Sequence, residues 1–121
     1  MNKYSLELIS SLMNNLSGDG REAFPVPESD REKKLCDTAD DFWMSLTNVI
    51  IEDCDASEKD ACIKYAYAKI YAFYNNETDW YYDAYIWEKE ANAYFLKITV
   101  GCYCLVRDFM SFLEGYKNGR I

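Results

Sequence analysis

The chain of 121 residues contains no histidine. Histidine is the commonest general base and the commonest metal ligand, and its pKa is the one best suited to titrate near neutrality. Its absence removes most hydrolase and metalloenzyme constellations, including the Glu-x-x-His pairs of carboxylate-bridged di-metal bundles. Glycine-rich loops that cradle phosphates are absent as well. The sequence therefore predicts no catalytic residue and no bound cofactor, and we expect a protein that is not an enzyme.

The five cysteines lack the spacing of a metal site or of a disulfide framework. There is no CxxC pair, the number is odd, and no histidine is present to complete a ligand set. Cys102 and Cys104 lie two residues apart, which on a helix directs them to different sides. The pattern predicts small buried hydrophobic residues and no metal site.

Long hydrophobic runs are missing, and cations are few. The longest uncharged apolar run, residues 98–106, is about half the length that spans a bilayer. Glu7 interrupts the apolar residues near the amino end, which therefore lack the continuous core of a secretory signal. Thirteen Lys and Arg against 21 Asp and Glu give a net charge of -8, which repels phosphate backbones and anionic lipids. We expect a cytoplasmic protein that binds neither nucleic acid directly nor membranes.

Helical patterning covers most of what is present. Residues 4–16 carry apolar side chains at helical spacing and precede Gly18, which predicts a first amphipathic helix that stops there. Residues 18–28 contain both prolines and form the main irregular connection. Within that connection, Phe24 and Val26 are expected to pack on the core.

Two further helices have recognisable starts. Ser29 and Glu32 form a capping box, which predicts a second helix that runs to about Glu52 with an apolar stripe along one face. Ser57 begins a similar cap-like sequence, so a third, alanine-rich helix is predicted from there to about Tyr74.

A fourth helical segment is predicted to begin near Asp79 and to continue to Leu113. Residues 98–101 lower helix propensity and leave a kink, a break or a short strand as alternatives, but the predicted core stripe continues through them. The stripe consists of Trp80, Ala84, Trp87, Ala91, Tyr94, Ile98, Cys102, Leu105, Phe109 and Leu113. The predicted fold is an all-α single domain over residues 1–121, an irregular bundle of four to five helices.

Tyrosines form the first group of candidate binding residues. Helical phase separates Tyr81, Tyr85 and Glu88 from the core stripe and assigns them to a neighbouring one. Tyrosine is enriched in protein interfaces because it offers a large contact area, few rotatable bonds and a polar tip. We predict that these three residues contact a partner; the alternative is that the tyrosines rim the core with their hydroxyls in water.

Acidic residues form the second group. Glu52 and Asp53 lie at the predicted end of the second helix, where the helix dipole opposes negative charge by about 0.3 to 1 kcal/mol each, and Asp55 follows. Asp37 and Asp41 form a like-charge pair one turn apart. We predict that these five residues also bind a partner; the alternative is an ordinary solvated face.

These features favour a basic protein partner. Our first hypothesis is an immunity or inhibitor protein that covers the active site of a basic nucleic-acid-processing protein, such as a toxin nuclease. In size and charge alone the chain is similar to bacterial toxin-immunity proteins and to acidic anti-defence proteins of mobile elements, with no shared motif. The alternatives are an anti-defence DNA-mimic inhibitor, a homo-oligomeric helical scaffold, and a small-molecule receptor or enzyme with a pocket between aromatic helices.

Overall fold

The computed structural model describes residues 1–18 and 21–121, and this part of the chain is helical with no β-strand. Two residues of the predicted irregular connection, 19 and 20, lie outside the described residues. The prediction of a small all-α single-domain bundle is confirmed. The helices are α1 (Lys3–Ser17), α2 (Asp30–Asp53), α3 (Ala56–Glu77), α4 (Tyr81–Tyr94), a 3₁₀ helix (Phe95–Lys97) and α5 (Val100–Lys117).

Local capping chemistry sets the ends of the first two helices. Gly18 ends α1 in the left-handed conformation with φ 84°, which a glycine adopts without a Cβ penalty. The Ser29 hydroxyl accepts a hydrogen bond from the Glu32 amide at 3.1 Å and begins α2. The Glu32 carboxylate accepts from the Glu28 amide rather than from Ser29, so the capping box is half formed. Both predicted ends are confirmed.

The predicted start of α3 at Ser57 is wrong by two residues. Asp55 is the N-cap, and its carboxylate accepts a hydrogen bond from the Glu58 amide at 2.8 Å. Asp55 is extended and follows Cys54, the residue after α2, so a carboxylate is available for capping two residues before Ser57. The two long helices are therefore joined by two residues, Cys54 and Asp55.

α3 is the central helix, with α1, α4 and α5 packed on it, while α2 packs mainly on α1 and α5. α1 and α4 run antiparallel to α3, and α5 runs parallel to it. The predicted apolar stripe of α2 is buried, and the Phe42 and Phe109 rings of α2 and α5 stack with centroids 4.5 Å apart. In the described part of the chain, no helix is both long enough and apolar enough to cross a membrane.

The prediction of one continuous helix from Asp79 to Leu113 is wrong. The chain leaves α4 at Tyr94, turns through the 3₁₀ helix, and becomes extended at Ile98 and Thr99 before α5 begins. The Thr99 hydroxyl accepts a hydrogen bond from the Cys102 amide at 3.2 Å, so Thr99 caps a new helix. The β-branched residues Ile98, Thr99 and Val100 have low helix propensity, which favours a break after α4. The cap at Thr99 then begins α5, which runs along α3.

Two predicted core contacts are also wrong. Trp80 is 63% exposed, because the chain turns at Asp79 with φ 65° and changes the helical phase before α4 begins. Val26 is exposed, whereas Phe24 packs on the core as predicted. Proline-flanked segments favour the polyproline II conformation, which has three residues per turn. Phe24 and Pro27, three residues apart, therefore share a side and are both partly buried, whereas Val26 lies on another side.

Candidate functional site

α4 is the least buried of the helices that pack on α3. All of its residues are described, and the buried ones are Ala84 and Ala91. Trp87 is half-buried and contacts two rings of α3, with centroids 5.3 Å from Tyr67 and 4.8 Å from Tyr71. Two alanines and the half-buried rings of Trp87 and Tyr94 therefore hold α4 on the core. Its remaining large apolar side chains are exposed.

Large aromatic and apolar side chains cluster at the amino-terminal part of α4. We call this cluster the α4 aromatic surface; it consists of Trp80, Tyr81, Tyr82, Tyr85 and Ile86, which are between 39% and 78% exposed. Residues three and four apart are neighbours on a helix, so Tyr81, Tyr82, Tyr85 and Ile86 are contiguous over about two turns, and Trp80 directly precedes them in the chain. Tyr81 and Tyr85 lie where helical phase predicted them, outside the core. The other three were not among the predicted binding residues: Trp80 was assigned to the core stripe, and the pattern did not single out Tyr82 or Ile86.

Grooves flank α4 on both sides. The groove between α4 and α5 has a volume of about 1040 Å³ and is lined by rings including Tyr65, Phe95 and Tyr103. A smaller groove of about 500 Å³ separates α4 from α1, and Trp87 and Tyr94 line it. α4 is therefore a ridge, which a partner can contact on its crest and along either flank.

Glu88 differs from the two predicted tyrosines in forming an ion pair with another helix. Its carboxylate accepts a hydrogen bond from the Lys69 ammonium of α3 at 2.6 Å. This ion pair lies in the lining of the larger groove and fixes α4 to α3. The charge of Glu88 is therefore largely neutralised within the chain.

The charge around the α4 aromatic surface is negative. Asp79, Asp83 and Glu90 outnumber Lys89, the cation of α4. The Tyr81 hydroxyl donates a hydrogen bond to the Asp79 carboxylate at 3.4 Å, so acid and ring are adjacent. The surface combines exposed aromatic area with acidic groups.

The structure separates the acidic candidates of the α2–α3 connection from the tyrosines. Glu52, Asp53 and Asp55 are exposed at the amino-terminal end of α3, whereas the Trp80 amide donates to the Asn75 carbonyl at its other end. A helix of 22 residues is about 33 Å long. A standard interface covers about 800 Å² on each partner, which is a patch about 30 Å across. One such patch centred on α4 does not reach these acids.

Asp37 and Asp41 are exposed on α2, which packs mainly on α1 and α5 rather than on α4. Asp37 pairs with Lys33 one turn earlier at 3.3 Å. Asp41 borders a shallow depression between α2 and α5. The predicted binding residues thus fall into three locations: α4, the α2–α3 connection and the outer face of α2.

The amino-terminal end of α3 holds a cluster that the sequence pattern did not indicate. The sulfur atoms of Cys54, Cys62 and Cys102 all lie within 4.8 Å of one another, and those of Cys54 and Cys62 are 3.9 Å apart. Burial, and then the neighbouring Cys62, raise the pKa of the Cys54 thiol, and burial raises the pKa of Cys102 as well. Burial therefore favours the neutral form of the Cys54 and Cys102 thiols. The break at Thr99 returns the chain so that Cys102 lies close to Cys54 and Cys62. Because this contact joins residues far apart in sequence, no local spacing of cysteines predicts it.

The opposite end of α3 carries a buried charge with two partners. The Glu77 side chain is 7% exposed and accepts hydrogen bonds from the Met1 amino group at 3.0 Å and from the Lys117 ammonium at 2.8 Å. Burial alone raises the pKa of Glu77, but the two cations outweigh burial and hold the pKa below its ordinary value. This group ties α1, α3 and α5 together and acts as a structural element.

Comparison with known proteins gives no relative: the chain matches no family model, and neither a curated protein nor a solved structure shows significant similarity to it.

Proposed function

We propose that this chain is a non-enzymatic binding protein that docks the α4 aromatic surface on a basic protein partner. The observation that carries the proposal is the contiguous exposure of Tyr81, Tyr82, Tyr85 and Ile86 on a helix held mainly by α3, with the exposed Trp80 directly before them. Monomeric proteins rarely expose a large contiguous apolar patch, and such patches, when rimmed by polar residues, mark interaction sites. Trp and Tyr are also the residues that most often dominate binding energy.

The sign of the charge supports a cationic partner. The chain carries a net charge of -8, and Asp79 and Asp83 lie beside the exposed rings. Complementary charge speeds diffusional encounter and disfavours partners of the wrong sign. Nucleic-acid-processing proteins need cationic clefts to bind phosphate backbones. We therefore propose an immunity or inhibitor role, in which this chain covers the active site of such a protein, for example a toxin nuclease.

Self-association through the same surface is disfavoured by charge. In a two-fold dimer the same patch meets itself, so Asp79 and Asp83 of both copies approach one another. Like charges across an interface cost binding energy. A homo-oligomeric scaffold is therefore the second candidate, and light scattering on the purified chain distinguishes the two.

Partner capture with matched variants tests the proposal. Wild type, the double variant Tyr81→Ala with Tyr85→Ala, and a control with Met44→Ala and Ile51→Ala are used as bait in extracts of the native cell. The control removes exposed apolar side chains from α2 instead of α4. We expect wild type and control to retain one basic protein that the α4 variant loses, with at least about a 30-fold weaker affinity, as for a hot spot of 2 kcal/mol.

Two further measurements test whether the captured protein binds through charge and whether this chain inhibits it. Association of the captured protein should slow steeply with salt, because the steering charges are exposed. If the protein is a nuclease, the purified chain should inhibit it at one copy per copy. Equal capture by all three baits, or a wild-type dimer that the α4 variant disperses, contradicts the proposal.

A further inference from the structure

We propose that Cys54, Cys62 and Cys102 form a binding site for one thiophilic divalent cation of the Zn²⁺ class, at the opposite end of α3 from the α4 aromatic surface. Among the described residues this is the one group of three or more cysteine and acidic side chains whose ligand atoms converge closely enough to hold an ion. The site is independent of partner binding through α4.

The sulfur geometry suits such an ion. A Zn–S bond is about 2.3 Å long, so two sulfurs on a tetrahedral ion lie about 3.8 Å apart. The Cys54 and Cys62 sulfurs are already 3.9 Å apart. Cys102 lies within 4.8 Å of both, so a shift of about 1 Å or less completes the triangle around an ion. Side-chain rotation can supply such a shift.

Three different elements fix the sulfur atoms. Cys54 directly follows α2, Cys62 belongs to α3, and Cys102 lies in the first turn of α5. Thr99 accepts a hydrogen bond from the Cys102 amide at 3.2 Å, and it is close enough to the Cys54 and Cys102 thiols to oppose the rise in their pKa. Groups that orient ligands in this way are a regular part of metal sites. An ion bound here would join the ends of α2, α3 and α5.

The charge balance also favours a divalent cation. Three thiolates and one divalent ion leave a net charge of about -1, and the positive end of the α5 dipole at Cys102 offsets part of it. Zinc sites with three protein ligands keep a fourth position for water. Cys54 is only partly buried, which leaves a route for the ion and for that water.

Exposed acids next to Cys54 gain an explanation from this site. Glu52 and Asp53 end α2, where the helix dipole opposes them, and Asp55 follows. Glu58 is close enough to Cys54 to contribute to its raised pKa. Negative charge around the opening raises the local concentration of cations. This role differs from the partner contact that the sequence alone predicted for Glu52, Asp53 and Asp55.

Cadmium and zinc titrations of the reduced, metal-free chain test the site. Cd²⁺ alone is followed by its thiolate charge-transfer absorption, Zn²⁺ by competition with a chromophoric chelator, and the stoichiometry by native mass spectrometry. We expect one ion per chain. Cys54→Ser should weaken binding by at least about 100-fold. Loss of a group that only orients a ligand can already cost that much, and Cys54 is itself a ligand. The controls Cys36→Ser and Cys104→Ser lie outside the cluster and should bind as wild type does.

Alkylation of the wild-type chain provides a readout that does not depend on any variant folding. Zn²⁺ should protect Cys54 from alkylation and leave the reaction of Cys36 and Cys104 unchanged, because only Cys54 is a partly exposed ligand. The proposal is overturned if wild type binds no ion more tightly than Cys54→Ser does. It is equally overturned if Zn²⁺ leaves the alkylation of Cys54 unchanged, or if the cluster yields a Cys54–Cys62 disulfide under mild oxidation while binding no ion when reduced.

Discussion

The bundle of α1, α2, α3 and α5 and the helix α4 use their apolar residues in opposite ways. α2 buries a stripe of large side chains that includes Leu35, Phe42 and Leu46, whereas the buried residues of α4 are two alanines. The bundle therefore supplies most of the stability of the fold, and α4 is held on its outside with Tyr81, Tyr82 and Tyr85 exposed. The contrast separates apolar residues that build the protein from those available to a partner.

Removing a large side chain from the bundle should have the largest effect on stability. Leu46 is fully buried on α2, and Leu46→Ala should lower the free energy of unfolding by about 3 to 4 kcal/mol through lost burial and a cavity. Ile51→Ala, on the exposed side of the same helix, should change it by less than about 0.5 kcal/mol. Urea denaturation measures both values, and equal losses would contradict the assignment of α2 to the bundle.

Glu77→Gln should lower stability by about 2 to 3 kcal/mol near neutral pH, because it leaves two cations without their buried partner. The pKa of Glu77 is lowered on folding, so its contribution is complete above its ordinary pKa of 4.5 and is lost as pH falls through the folded value. Wild type should therefore lose more stability on acidification than the variant. Denaturation midpoints across this range measure the difference, and parallel losses would show that the ion group does not stabilise the bundle.

Trp87→Ala should act on α4 alone. Trp87 is the half-buried ring that packs α4 on Tyr67 and Tyr71, and its loss should cost about 2 kcal/mol, below the 3 to 5 kcal/mol of a fully buried aromatic residue. Amide hydrogen exchange should rise throughout α4 and stay unchanged in α2. An equal rise in α2 would mean that α4 unfolds only together with the bundle.

The smallest effect is expected for the exposed tyrosines. Tyr81→Ala combined with Tyr85→Ala should change the free energy of unfolding by less than about 0.5 kcal/mol, because neither ring belongs to the core. Urea denaturation is again the measurement. A loss above about 1 kcal/mol would show that the two tyrosines support the fold and weaken the case for a binding surface.

The parts of the fold that depend on local chemistry could be predicted from the sequence. Gly18 and Ser29 end and begin helices through contacts within a few residues, and the stripe of α2 repeats over several turns. The break at Thr99 could not be predicted in the same way. Whether Thr99 continues one helix or caps another depends on the packing of α5 against α2 and α3, which only the folded chain supplies.

The candidate site also contains residues that local sequence patterns predict and residues that they do not. Helical phase was sufficient to assign Tyr81 and Tyr85 outside the core, because both lie within α4. The helical phase gave the wrong prediction for Trp80, because Trp80 lies between the turn at Asp79 and the first residue of α4 and is not itself helical. The distance between the tyrosines and Asp55 depends on the direction of α4 relative to α3. The contact of Cys102 with Cys54 depends on the direction of α5. Neither direction is encoded by a local sequence pattern.

Photo-crosslinking from α4 tests the central claim most directly. A crosslinking amino acid replaces Tyr85 in one protein and, as the matched control, Ile51 in another; both positions are exposed, on α4 and α2 respectively. In extracts of the native cell we expect one basic protein to crosslink from position 85 and not from position 51, with a yield that falls as salt is raised. Equal crosslinking from both positions, or crosslinks from position 85 only to a second copy of this chain, would contradict the proposed function.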